Sequence, residues 1–291
     1  MSAIAKLYIW RNRGLFLGTR EMPARDFTTG SDQLIVCLKG TMTRRFPGGK
    51  TVAFRSVLLR AGTKVPMQQV TASGTIIAIC HLDPVGQDYH AVAQKMAITI
   101  ENNAFHHQDE DLIIQELSRI VRNDMGDSEA YHCLDNLLLP APLQRQTFIQ
   151  FDPRVVRVLR HIETTVRDNI EIAQLAEQVF LSESRLVKLF KNQVGIPITR
   201  YRIRFRVYVG LIYLSLGFSV TDSALAAGFS STAHFSKCFS AILGIPPSSN
   251  LLQPPFMEVV LAEEIVAAIR AEQGAPLTST MPAAPASRVA T

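Results

Sequence analysis

The feature that most constrains this chain is a repeat inside its C-terminal third. Leu186, Lys188, Phe190, Gly195, Ile196 and Pro197 recur as Phe235, Lys237, Phe239, Gly244, Ile245 and Pro246, each pair 49 positions apart. Upstream, Ala176 answers to Ala224, 48 positions on, so the second copy should have a turn one residue longer. Each copy has the same physical content. A short helix offers an apolar face, Ile172, Leu175, Ala176 and Val179 in the first copy, and its small residue lets a second helix cross closely. Ser182, or Ser230 or Ser231 in the second copy, is placed to cap the helix that follows. That helix buries Leu186 and Phe190, or Phe235 and Phe239, at i,i+4 spacing. Gly195 and Gly244 then stop the helices, each with a proline two residues on.

The outer faces of the two second helices are small or basic: Ser184, Arg185 and Lys188 in one, Thr232, Ala233, Ser236 and Lys237 in the other. A helix that enters a major groove about 12 Å wide is hindered by bulky or acidic outer residues. Lys and Arg reach phosphate or guanine, and Ser and Thr bond base edges or backbone. The expected unit is therefore a helix-turn-helix, present twice. Between the copies, Arg200, Arg202, Arg204 and Arg206 precede Val209, Leu211, Ile212 and Leu214, which predicts a connecting helix that holds both units rigidly. Two heads so joined should meet successive major grooves, about 34 Å apart on one face of the duplex. The arginines are candidates for phosphate contact or for internal ion pairs with Asp222 or Glu163, with Arg206 the first candidate for the latter.

Charge follows the same division. Asp152 to Leu252 holds twelve Lys/Arg against seven Asp/Glu, so this block carries the whole net charge of +5, as a phosphate footprint requires. Cys37, Cys80, Cys133 and Cys238 are scattered with no CxxC pair, which reads as reduced thiols in the cytoplasm. Met1 to Gly14 has no long apolar core with a cleavage site, so no signal peptide is expected, and no apolar run reaches the ~20 residues a bilayer span needs.

From Leu7 to about Leu82 short apolar runs, among them Leu34–Leu38, Val57–Leu59 and Ile76–Ile79, are broken by Gly40, Gly62, Pro66 and Gly74 and by the turn Phe46–Lys50. This predicts a small sandwich or barrel. From His90 to about Leu139 the period becomes helical. Leu112, Ile113, Leu117, Ile120 and Val121 share one stripe, and Ser128 should cap a second helix carrying Tyr131, Leu134, Leu137 and Leu138. These helices would pack on the strands or on a second subunit. Phe16, Val36, Leu38, Ile77 and Ile79 would line a ligand space or fill a core. The expected domains are 1–139, β-rich with C-terminal helices; 140–153, a linker opened by Pro140-Ala141-Pro142; 154–253, the double unit; and 254–291, one helix over Glu258 to Glu272 and then a disordered tail.

Leu175-Ala176, Ser182, Leu186, Phe190, Gly195-Ile196-Pro197, Tyr201, Arg206, Ala224, Gly228-Phe229, Phe235, Phe239 and Gly244-Ile245-Pro246-Pro247, in that order, resemble the AraC/XylS family of bacterial regulators over about Val155 to Pro247. The N-terminal strands are similar in order and length to the small cupin-type sensor that many members carry. The resemblance implies an α+β chain: a β-rich, cupin-like sensor domain with flanking helices, then an all-α seven-helix domain with two helix-turn-helix units. It implies a transcription regulator, more often an activator, with duplex promoter DNA, RNA polymerase, a small-molecule effector in the N-terminal domain and a second copy of the chain as candidate partners. Ser184, Arg185, Val187, Lys188 and Lys191 would form the first reading face, and Thr232, Ala233, Ser236 and Lys237 the second.

Three sites depart from the family pattern. Ser223 stands where a bulky aliphatic is usual; buried, it costs about 1 kcal/mol unless its hydroxyl bonds a carbonyl one turn back. Gly210 replaces the usual Ala of the connecting helix, at about 1 kcal/mol of helix propensity. Ser249-Asn250 replaces the usual aromatic-Arg ending. These departures give footing to an interaction protein with a partly decayed DNA-binding domain. The other alternative is a metal-dependent cupin enzyme fused to a DNA-binding domain. That enzyme needs a His-x-His pair, whereas His81 and His106-His107 offer none and the latter pair falls in the helical region. GxSxG, Walker and HExxH motifs are missing as well, so no catalytic residue, cofactor or metal is expected.

Overall fold

The computed structural model describes residues 5–19, 26–72, 75–243, 245–248 and 257–273. The N-terminal half is built from strands β1 (Ala5–Ile9), β2 (Gly14–Thr19), β3 (Phe27–Thr28), β4 (Gln33–Lys39), β5 (Met42–Arg45), β6 (Thr51–Phe54), β7 (Ser56–Leu59), β8 (Lys64–Val65), β9 (Val70–Ala72) and β10 (Ile76–His81). Helix α1 (Asp88–Ala93), strands β11 (Met96–Ile100) and β12 (Asn103–His107), and helices α2 (Glu110–Arg122) and α3 (Asp127–Leu138) follow. After the single turn α4 (Ala141–Gln144) the chain is helical: α5 (Pro153–Thr164), α6 (Ile172–Glu177), α7 (Glu183–Val194), α8 (Ile198–Ser215), α9 (Val220–Ala226) and α10 (Thr232–Leu243). Strand β13 (Met257–Leu261) and helix α11 (Glu263–Gln273) close the described chain.

An eight-stranded sheet in the order β11-β12-β7-β4-β10-β2-β1-β13 faces a three-stranded sheet, β6-β5-β9, with the short pair β3-β8 beside them. Because side chains alternate along a strand, each run of the large sheet feeds two cores. Leu34, Val36, Leu15, Leu17 and Leu58 point to one face, where α2 and α3 cover them with Ile113, Leu117, Ile120, Ala130 and Leu134. Ile35, Cys37, Phe16, Val57, Leu59 and Ile77 point to the other face. There they join Phe54 of the small sheet and, from the C-terminal half, Val207, Leu211, Phe235 and Phe239. The two amphipathic helices thus pack within the chain. Buried Arg13 ties this half together, donating to Asp88 at 2.7 Å and to Asp135 at 2.6 Å.

The structure differs from the sequence-based expectation at several points. His106-His107 lies on β12, not on a helix: Met96–Ile100 and Asn103–His107 form an antiparallel pair, and burial on both faces masks the alternation of the second strand. Helix α3 starts one residue before Ser128, with Gly126 as its N-cap. The segment from Met257 to Leu261 is a strand, not the start of a helix. It pairs in parallel with β1, from Ala5↔Met257 to Ile9↔Leu261, so the last described segment completes the N-terminal sheet. A run as short as Met-Glu-Val-Val-Leu carries no period of its own, and the open edge of β1 decides its conformation. Gly74, Gly244, Ser249-Asn250 and the expected disordered tail fall outside the described residues.

Candidate nucleic-acid interface and interdomain cavity

Both helix-turn-helix units form. In the first, α6 opens with a capping box, Glu171 and Gln174 satisfying each other's backbone N–H groups, and buries Leu175 and Ala176. The turn is closed by the N–H of Leu181 donating to Ala176 O at 3.0 Å. In the second, Phe229 donates to Ala224 O at 2.9 Å in the same way. The backbone turns left-handed at Phe180, φ 55°, and at Gly228, φ 75°. The chain then takes two residues to reach Ser182 ahead of α7 but three to reach Ser231 ahead of α10, which locates the extra residue inferred from the repeat. Ser231 Oγ accepts from His234 N at 3.2 Å and is the cap. Ser182 occupies the N-cap position but makes no capping bond, its hydroxyl facing Ser184 Oγ at 3.3 Å instead.

Leu186 and Phe190 of α7, and Phe235 and Phe239 of α10, are fully buried. The opposite faces are open: Ser184, Arg185, Lys188 and Lys191 are exposed, as are Ala233 and Lys237, while Val187, Thr232 and Ser236 are half-buried. Among the described residues Arg185, Lys188, Lys191 and Lys237 have no ion-pair partner, so their charge is uncommitted. Two exposed side chains were missed in the sequence. His234 stands 49 positions after Arg185, a register the repeat already offered. Phe180, 91% exposed at the turn, had no signal beyond its place in the loop.

Helix α8, 18 residues and so about 27 Å long, joins the units. Its arginines turn mostly inward. Arg202 donates to Ile170 O and Asp168 O, and Arg206 to Val166 O and Asp168 O, both at 3.0 Å. They clamp the α5–α6 loop by its carbonyls, and the expected ion pair of Arg206 with Asp222 or Glu163 is not made. Glu163 instead accepts from Tyr201 Oη at 3.2 Å, and Asp222 pairs with Ser219 at the start of α9. The loop in turn reaches the second unit, where Arg167 donates to Ala226 O at 3.2 Å and to Tyr213 Oη at 3.3 Å. Gly210 has a packing reason, since a Cβ there would lie 2.4 Å from Cε2 of Phe235. Ser223 is fully buried and its hydroxyl has no partner among the described residues, so its cost is not offset.

Where α8 and α10 meet the N-terminal sheets there is a cavity of about 280 Å³. Of the residues expected to line a space or fill a core, Phe16, Ile77 and Ile79 line this cavity and Val36 and Leu38 do not: alternation along β4 sends Ile35 to this face and Val36 to the helices. From the other side Val207, Leu211 and Ile242 complete the wall. Polar atoms come from Arg44, Arg204, Ser31, Gln33 and His81. His81 Nδ1 faces Ser31 Oγ at 2.9 Å, and burial, aided by the charge of Arg204, pushes its pKa down to about 4. Tyr208 Oη bonds Trp10 O, a direct tie between α8 and the N-terminal half.

Known proteins share these features. A family model described as a helix-turn-helix domain matches residues 175–251. The regulator GbdR of Pseudomonas aeruginosa is 27% identical over 110 residues, 38% of this chain and 30% of its own length. The arabinose operon regulatory protein of Escherichia coli is 32% identical over 99 residues, 33% of this chain and 34% of its own. The match thus spans about a third of these curated relatives. Over the whole fold the chain is similar to ToxT of Vibrio cholerae. An apo ToxT variant aligns over 85% of this chain and 96% of its own at TM-score 0.54 and 13% identity. Wild-type ToxT with an unsaturated fatty acid bound aligns over 86% and 100% at TM-score 0.53 and 12% identity. The C-terminal domain is thus similar to a helix-turn-helix domain and to the matched third of these transcriptional regulators, and the chain as a whole shares the two-part fold of ToxT.

Proposed function

We propose that the chain is a sequence-specific DNA-binding transcription regulator of the cytoplasm, an activator without catalytic activity, that reads two successive major grooves. One observation carries this: two helices in equivalent settings each bury an aromatic or aliphatic pair on one side and offer uncommitted cations with small polar residues on the other. Ser184, Arg185, Val187, Lys188 and Lys191 would read one groove, and Thr232, Ala233, Ser236 and Lys237 the next. RNA polymerase is the partner an activator needs.

The cavity supplies the point of control. Its wall is shared by the N-terminal sheets and by α8 and α10, so an occupant touches the second reading helix and the rod between the units. An apolar small molecule suits this lining, and a bound unsaturated fatty acid in a protein of the same fold supports that class. A ligand that binds one arrangement of the two halves better than the other shifts the population towards it.

Lys188→Ala and Lys237→Ala test the reading faces by mobility shift on the native upstream region. Each is expected to weaken binding several-fold, to make affinity less salt-dependent and to leave the circular dichroism unchanged. Unchanged affinity in both variants would mean that these faces do not meet DNA.

A further inference from the structure

No aspartate or glutamate lines the interdomain cavity among the described residues, yet two guanidinium groups reach its wall. Arg44, on β5, is 5% exposed. Its terminal nitrogens donate to Asn103 Oδ1 and Lys64 O, neither of which is charged, and its Nε–H has no partner among the described residues. Arg204, on α8, makes no hydrogen bond or ion pair with a described residue. Its guanidinium carbon lies 6.0 Å from the Tyr201 ring centre, and its stem packs against Gly30 so closely that a Cβ there would sit 3.0 Å from its Cδ. Asp32, the acid whose charge reaches it, is engaged elsewhere, accepting from Ala61 N at 2.6 Å and facing Arg60 at 4.0 Å.

Burial lowers the pKa of both arginines, and the carboxylates that oppose it, Glu101 for Arg44 and Asp32 for Arg204, form no ion pair with them and do not offset it. Arg44 stands on β5 of the small sheet and Arg204 on α8 of the C-terminal half, on opposite sides of the cavity lining. They are therefore separate points on the wall. A buried charge is normally paired, and breaking such a pair is costly. Two unpaired cations in one apolar cavity leave the counter-charges to be supplied by the occupant.

We propose that the cavity takes an organic dianion, an apolar body bearing two separate carboxylates, one held by Arg204 and the other by Arg44. This rests on the ligand-controlled reading above and names the ligand class. At the Arg204 end, neutral His81 has Nδ1 at 3.3 Å from the Gln33 amide nitrogen, which can only donate, and at 2.9 Å from Ser31 Oγ, so Nε2–H is a further donor. The carboxylate at Arg204 holds the rod between the reading units, and the carboxylate at Arg44 anchors the same molecule in the β-sheets. A monoanion of the same shape fills the space but ties only one half.

The test uses the full chain and three molecules with one body: dodecanedioic acid, its monomethyl ester and its dimethyl ester, each titrated by calorimetry. Each esterification is expected to weaken binding about tenfold or more, equivalent to about 1.4 kcal/mol. Arg204→Gln and Arg44→Gln are each expected to lower the diacid to the affinity of the monoester and to leave the monoester nearly unchanged. If either variant fails to fold, the ester series on the unaltered chain still decides. Equal affinity for diacid and monoester overturns the dianion, while a shift in DNA binding caused by either molecule keeps the ligand-controlled reading. Failure of all three to bind overturns the assignment of the cavity to this class, whatever the DNA assay shows.

Discussion

Replacing Gly210 by Ala sets two known effects against each other. In an unencumbered helix the change gains about 1 kcal/mol of propensity. Here the new Cβ would lie 2.4 Å from Cε2 and 2.7 Å from Cζ of Phe235. Carbon atoms rest at about 3.5–4.0 Å, so the ring must retreat by about 1 Å. It has nowhere to go: Phe235 is fully buried, with the Phe229 ring centre 5.2 Å away and that of Phe239 5.3 Å away. Overpacking of this kind costs about 1–3 kcal/mol, so after the propensity gain the net expectation for Gly210→Ala is a loss of up to about 2 kcal/mol. Urea unfolding followed by far-UV circular dichroism measures it, and adding Phe235→Leu to the variant should restore most of the loss. A variant more stable than the parent by about 1 kcal/mol would refute the close crossing of α8 and α10.

Other consequences are as direct. His81 has its folded-state pKa depressed to about 4 from 6.5. The folded state thus binds fewer protons, its stability is fully present above pH 6.5, and it is lost as pH falls towards 4. The upper bound is about 3 kcal/mol, and His81→Gln should remove that part of the pH dependence in thermal melts at stepped pH. Arg13→Met leaves Asp88, which is fully buried, without its cation, and should cost about 3–5 kcal/mol in the same unfolding assay. Deleting residues 257–273 strips β1 of its parallel partner and removes buried Met257, Ala262 and Ile269. It should lower the melting temperature and promote self-association through the freed edge, seen by light scattering. Unchanged melting and scattering would show that this strap adds nothing.

Most of the C-terminal domain was legible because the repeat samples the same geometry twice. Phe190 with Phe239 and Ala176 with Ala224 fix a crossing that one copy alone would leave ambiguous. The N-terminal strands were legible as strands, but their faces were not: period two puts Val36 and Ile35 on opposite sides, and both sides are buried, so hydrophobicity does not say which one sees the cavity. Strands β12 and β13 were unreadable for a related reason, since their conformation comes from the partner strand. The arginines of α8 show a further limit. A basic run beside a reading unit suggests phosphate, yet backbone carbonyls of the α5–α6 loop claim Arg202 and Arg206 and the cavity claims Arg204. Arg44 and His81 belong to the same lesson, because only the folded sheet shows what they face. Gly210 departed from the family pattern for a reason stored 25 positions away, in the ring of Phe235.

Hydroxyl-radical footprinting of the full chain on its native upstream DNA at low salt tests the paired reading units most directly. The account predicts two protected tracts on one face of the duplex, centred about 34 Å apart, with Lys188→Ala thinning one tract and Lys237→Ala the other. A single tract that neither substitution alters, or no protection at all, would contradict it.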